Sequence, residues 1–170
     1  VEDFYTKKNL QPQLESGHLS WHEVHSAFCK HFSSEIPLKR FSRAAGNIFT
    51  LKAEMIPVLA ALQRNCFRLG LLSNSCQPHW DHLCSSRYSL LPHAFTPIVL
   101  SHEVSAAKPD KKIYHYAQKK VRVPAKQIFF CDDLTCNVDA ARSAGWDAEI
   151  FTTARKLIRD LNDRGGCLGM

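Results

Sequence analysis

Ile128-Phe129-Phe130-Cys131-Asp132-Asp133 is the stretch on which the rest of the chain is organised. An apolar run stops abruptly at two adjacent carboxylates. Leu134-Thr135-Cys136-Asn137 then leads into a helix-compatible segment from Val138 to Ala144. Four apolar residues between polar flanks predict a fully buried strand, the kind found in a parallel sheet. Ending such a strand in two acids is costly unless something positive waits there. In open α/β sheets ligands sit in the crevice beyond the carboxyl ends of the strands, which is where a cation or phosphate site is expected. Paired hard oxygen donors suit Mg²⁺, which takes one or two protein carboxylates and keeps water or substrate phosphate as its other ligands. Taken alone, the pair would serve equally well to start a turn and cap the next helix.

Outward from this stretch, helix and strand alternate. Glu54 to Asn65 is an amphipathic helix, with Pro57 tolerable in its first turn. Cys66 to Leu72 is an apolar strand ending at Ser73-Asn74, and Pro78 to Tyr88 is a helix. Ile98 to Leu100 is a short strand and Pro109 to Lys120 a helix. After the Ile128 strand and the helix near Thr135 to Ala144 come a strand about Ala148 to Phe151 and a helix from Thr153 to Asn162. This order predicts βαβ units and a Rossmann-like parallel sheet covered on both faces, over residues 51–170. Residues 1–50 differ. Ser20 and Glu23 form a capping-box pattern, Trp21, Val24, Phe28 and Phe32 make one apolar stripe, and Pro37 to Ala45 is a second short helix. With no strand in sight, this is expected to be a small helical cap.

Composition narrows the class. At 45% hydrophobic and 22% charged, the 170-residue chain suits a soluble globular protein with one good core. Its apolar runs fall short of a membrane span and its start does not resemble a signal peptide, so no membrane association is expected. Seven cysteines without a Cys-x-x-Cys pair predict reduced thiols, with Cys131 and Cys66 in the core, in a cytoplasmic protein. The formal charge of +6 gathers in Lys108, Lys111, Lys112, Lys119, Lys120, Arg122 and Lys126. Without aromatic interleaving or zinc-finger spacing, a solvated helix face or a small phosphorylated substrate explains that excess better than nucleic acid.

Three strand ends carry unusual chemistry. Ser73-Asn74-Ser75 offers a hydroxyl and backbone N–H groups at a strand-to-helix turn, a natural phosphate cradle. Lys108-Pro109 precedes a helix in which Pro109 fits the first position, leaving Lys108 extended at the mouth. Asp132-Asp133 is followed by Asn137. Each signal is weak alone, as a plain turn or a solvated lysine would look the same. In this order, however, the chain resembles the haloacid dehalogenase-like hydrolase superfamily from about Leu51 to Phe151, with Gly17 to Phe32 similar to its helical cap. Ser73-Asn74 resembles its second motif, Lys108-Pro109 its third, and Asp132-Asp133 with Asn137 its acidic fourth. The phosphatase branch that includes the N-terminal domain of soluble epoxide hydrolase is the nearest in flavour.

That resemblance implies a Mg²⁺-dependent phosphatase on a small phosphorylated metabolite. Asp133 would be the direct Mg²⁺ ligand, with Asp132 and Asn137 orienting it or the neighbouring lysine. Ser73 and the Asn74 backbone N–H would hold phosphoryl oxygens, and Lys108 would stabilise their charge. The family attacks phosphorus with an aspartate at the end of its first strand, through an aspartyl-phosphate, and a second aspartate acts as acid and base. No apolar strand ending in Asp-x-Asp precedes the cap-like segment, and Glu2-Asp3-Phe4 is no substitute. In the family that strand lies between the strands of Ile128 and Leu71, so its loss would leave inner edges unpaired. The chain, which begins at Val1, is therefore expected to be part of a longer protein. A non-catalytic relative that binds phosphate or a protein partner is the alternative. A carbon–halogen hydrolase is disfavoured by the double acid. His18, His22 and His25 lack the companions of a zinc site, and nothing marks Cys136 as a nucleophile.

Overall fold

A computed structural model describes residues 9–85 and 93–166. In chain order the helices and strands are α1 (Leu10–Glu15), α2 (Trp21–Phe32), α3 (Leu38–Gly46), α4 (Met55–Arg64), β1 (Leu71–Ser73), α5 (Gln77–Leu83), β2 (Ile98–Leu100), α6 (Ser101–Val104), α7 (Lys111–Val121), β3 (Phe129–Asp132), α8 (Thr135–Ser143), β4 (Asp147–Ile150) and α9 (Ala154–Asn162). The Glu2-Asp3-Phe4 segment and the last residues of the helix expected over Pro78 to Tyr88 lie outside the described residues. Contacts group the chain into two units: Val1–Thr50 with Leu72–His93 and Val99–Ala107, and Leu51–Leu71 with Ala94–Ile98 and Lys108–Met170.

The first unit is helical from Leu10 to Gly46, with no strand among the described residues up to Thr50. Ser20 caps α2 as its sequence dictates. Its Oγ accepts from the Glu23 N–H, and the Glu23 carboxylate accepts from the Ser20 N–H at 2.8 Å. Leu10, Leu14, Trp21, Val24, Phe41 and Cys76 form the core, with the Trp21 and Phe41 rings stacked at 4.7 Å. Burial declines along the α2 stripe. Trp21 and Val24 are buried, Phe28 is half-buried, and Phe32, the last helical residue, is 45% exposed.

The second unit is built on β3 and β4, which run parallel with Phe129 opposite Asp147 and Asp132 opposite Ile150. α8 makes the crossover between them, and Gly145 follows it at φ 84°, a conformation few other residues adopt readily. α4 packs Val58, Ala61 and Leu62 against Ala154, Leu157 and Leu161 of α9, whose first turn is capped by the Thr153 hydroxyl. β1 and β2 form a second two-stranded sheet.

The structure corrects several expectations. The strand placed at Cys66 to Leu72 begins only at Leu71 and includes Ser73. Residues 66 and 67 close α4 instead: Cys66 takes a positive φ, and the Cys66 and Phe67 N–H groups donate to Gln63 and Leu62 carbonyls. Cys66 is consequently exposed, not a core thiol. Pro109 does not open the next helix; Asp110 is its N-cap, accepting from the Lys112 N–H at 2.9 Å. β3 is half-buried throughout, where full burial was expected. It pairs only with β4 among the described residues, so its other edge lacks the neighbour that would cover it.

Candidate active site

In the second unit the carboxyl end of β3 delivers Asp132 and Asp133 to one place. The two acids have different surroundings. Asp132 Oδ2 accepts from the Lys108 ammonium at 2.5 Å. Its Oδ1 accepts from the Leu134 N–H and from the Asn137 amide, each at 2.9 Å. The Lys108 and Asp132 side chains are 9% and 7% exposed, a nearly buried ion pair. Burial pushes the Asp132 carboxyl up, but the Lys108, Leu134 and Asn137 bonds outweigh it and hold it below its ordinary value. Asp132 therefore stays charged and spends its acceptor capacity on orienting Lys108.

Asp133 is the opposite case. It is exposed, and no hydrogen bond or ion pair engages its carboxylate among the described residues. A pocket of about 340 Å³ opens there, lined by Lys52, Cys131, Asp132, Asp133, Phe151 and Thr152.

The support beneath this cluster comes from α7 and α8. Asn137 is 3% exposed, and its carbonyl accepts from the Tyr114 hydroxyl at 2.8 Å. Tyr114 is itself fully buried, edge-on to Phe130 and Trp146. Phe130 also lies beneath the Lys108 ammonium at 5.6 Å, a cation–π contact on top of the ion pair. Tyr114 escaped the sequence reading although its signal was present: with Ile113 and Ala117 it forms the apolar face of an otherwise Lys-rich helix.

Ser73 and Asn74 lie in the first unit at the end of β1, both half-buried, with the Ser73 hydroxyl donating to the Asn74 carbonyl at 3.4 Å. The turn that follows is held by Ser101, which is fully buried. Its Oγ accepts from the Ser75 N–H at 2.9 Å and donates to the Ser75 carbonyl at 3.2 Å. The Ser75 N–H is thus already used, and of the expected cradle it is not a free donor. His102 Nδ1 donates to the same Ser75 carbonyl at 2.9 Å. Nothing in the sequence distinguishes Ser101 from any serine after a short strand. The structure thus joins Lys108, Asp132 and Asn137 by direct bonds and sets Asp133 on the same pocket wall as Asp132, while Ser73 and Asn74 belong to the other unit.

The donor chemistry fits Mg²⁺. Asp132 and Asp133 bring hard carboxylate oxygens to an open pocket, the donor type Mg²⁺ takes from a protein. A cysteine nucleophile does not fit. Burial, with the Asp132 charge behind it, pushes the Cys131 thiol up to about 11, so it stays protonated at neutral pH.

The haloacid dehalogenase-like hydrolase model matches residues 12–145. The chain belongs to this family. A phosphatase of Mycobacterium tuberculosis is 31% identical over 121 residues, 66% of this chain and 53% of that protein. A drimenol cyclase of Aspergillus calidoustus is 26% identical over 161 residues, 89% of this chain and 29% of that protein. The chain therefore spans about half of one relative and under a third of the other. Among solved structures, a HAD family enzyme of Bacteroides thetaiotaomicron in complex with magnesium and inorganic phosphate superposes with a TM-score of 0.78 at 22% identity, covering 88% of this chain and 79% of that one. The fold is that of the Rossmann-like α/β enzymes of this superfamily.

Proposed function

We propose that this chain serves in a Mg²⁺-dependent phosphatase acting on a small phosphorylated metabolite. The observation that carries the reading is the division of labour at β3. Asp132 is saturated by Lys108, Leu134 and Asn137, while Asp133 faces the pocket with its carboxylate uncommitted. A held ammonium beside an uncommitted carboxylate suits the transfer of a highly charged phosphoryl group, and that supports the reading. A bound Mg²⁺ would offset charge repulsion between the phosphoryl oxygens and an attacking carboxylate. Asp133 would hold it directly, with Asp132 in support through Lys108.

Lys108 draws charge from the transferring group. The nucleophilic aspartate, and the aspartate acting as acid and base, are not assigned to residues of this chain. An aspartyl-phosphate forms as the nucleophile's oxygen bonds phosphorus and the alcohol departs. Water then cleaves it to release phosphate. The M. tuberculosis relative, named a phosphatase, supports this reading.

The test is hydrolysis of p-nitrophenyl phosphate by the full-length protein with Mg²⁺ and with a chelator. Turnover that needs Mg²⁺ is the expected result. Phosphate binding without turnover would replace the enzyme with a phosphate-binding relative, and turnover indifferent to the chelator would remove the metal from the scheme. A second reading, that the segment serves within a cyclase, is favoured by the match to the drimenol cyclase over 89% of this chain. Analysis of the organic product of turnover separates the two.

A further inference from the structure

Of the charged side chains lining the pocket, only Asp132 is in an ion pair among the described residues. Asp132 is neutralised by Lys108, which leaves the Asp133 carboxylate and the Lys52 ammonium. Lys52 makes no ion pair among the described residues. It is also not on a loose tether. Its carbonyl accepts from the Met55 N–H at 2.9 Å, and the Ala53 carbonyl from the Ile56 N–H at 3.1 Å, so the turn runs directly into α4. α4 packs on α9, whose N-cap Thr153 directly follows the lining pair Phe151 and Thr152. One packed helix pair thus carries Lys52 and the wall beside it.

The pocket's size and lining add a second constraint. At about 340 Å³ it falls at the lower end of the range of small-molecule sites, roughly 300–1,000 Å³. Phe151 and the Cys131 thiol offer a substrate's organic body an apolar surface. An acidic substituent on it would find Lys52 as its unused cation.

We propose that Lys52 is a substrate-positioning residue that pairs with a second acidic group, a carboxylate or another phosphate, on the molecule whose phosphoryl group is transferred. The inference rests on the phosphatase reading and names the substrate class for it: small phosphate monoesters carrying a further acid. Lys52 acts on binding and not on the bond that breaks.

A matched pair of probes tests this, phenyl phosphate and 4-carboxyphenyl phosphate, which differ by one carboxylate. With full-length protein and Mg²⁺, the carboxylated ester is expected to have a KM about tenfold lower, the effect of one charge-assisted hydrogen bond. Lys52→Gln should erase that preference with kcat unchanged, and Lys52→Arg should keep it. An unchanged preference in Lys52→Gln, or no preference in the wild type, overturns the assignment. Calorimetric binding of the corresponding phenylphosphonates is run in parallel, because it needs no turnover. If the wild type hydrolyses neither ester but still prefers the carboxylated phosphonate through Lys52, the phosphatase reading fails and Lys52 keeps its role. If neither phosphonate binds, the role fails too.

Discussion

The Lys108 ammonium sits 2.5 Å from Asp132 Oδ2, in a pair whose side chains are less than one-tenth exposed. Both partners come from chain segments with other work to do, one before α7 and one at the end of β3. A buried pair of this kind is a weak source of net stability but is expensive to break from one side. Lys108→Ala is expected to destabilise the fold by about 3–5 kcal/mol, because it strands the Asp132 charge. Denaturant unfolding measures it. Turnover by the full-length protein should fall as well, and full Mg²⁺-dependent activity in Lys108→Ala would remove Lys108 from the mechanism.

The pH dependence of this pair has a definite sign. The folded Asp132 carboxyl titrates below its ordinary value of 3.8, so the unfolded chain binds the proton more readily. Its contribution is fully present above the ordinary value and is lost as pH falls through the lowered folded value. The stability gap between wild type and Asp132→Asn should therefore hold near neutrality and shrink only in that acid window. A gap that closes between pH 5 and 7 would contradict the assignment.

Asp133→Asn separates function from folding. The side chain is exposed and has no partner among the described residues, so stability should shift by no more than about 0.5 kcal/mol. Mg²⁺ affinity, read by calorimetry on the full-length protein, should drop roughly 10–100-fold or more, because a ligand matters at least as much as its supporting shell. Unaltered Mg²⁺ binding would move the metal elsewhere.

Tyr114→Phe removes one hydroxyl from a filled core and takes from the Asn137 carbonyl the side-chain donor it has besides its helix bond. A loss of about 1–3 kcal/mol is expected in thermal or chemical unfolding. A neutral result would mean that a water or a shifted donor replaces the phenol.

Ser101→Ala should be more costly than its size suggests. One buried hydroxyl satisfies both the N–H and the carbonyl of Ser75, so its deletion leaves a donor unpaired and an acceptor with only His102. About 2 kcal/mol is expected from the orphaned donor. Faster amide hydrogen exchange at Ser75 is the specific signature, and unchanged exchange there would sink the role.

Residues whose behaviour depends on local chemistry were legible in advance. The Ser20 and Glu23 capping box, the α8 and α9 helices, and the strand ending at Asp132 follow from short-range patterns and appear close to where the sequence placed them. The strand expected from Cys66 failed for a reason of the same scale. An apolar run can cap a helix as easily as it can start a strand, and Cys66 and Phe67 complete α4. Partners distant in sequence were not legible. Tyr114 meets Asn137 across 23 positions, and Ser101 meets Ser75 across 26.

By itself the sequence determined an alternating α/β chain, a helical segment before it, and an acidic strand end of the haloacid dehalogenase-like type. These rest on periodicity, capping and motif order, which are properties of neighbours in the chain. The physical difference between the two acids, which the resemblance only implied, comes from the tertiary structure. Asp132 and Asp133 are adjacent and chemically identical, so composition cannot rank them. The strand's alternation and the arrival of Lys108 and Asn137 bury and saturate the first. The second is left exposed at the pocket that Lys52 also lines.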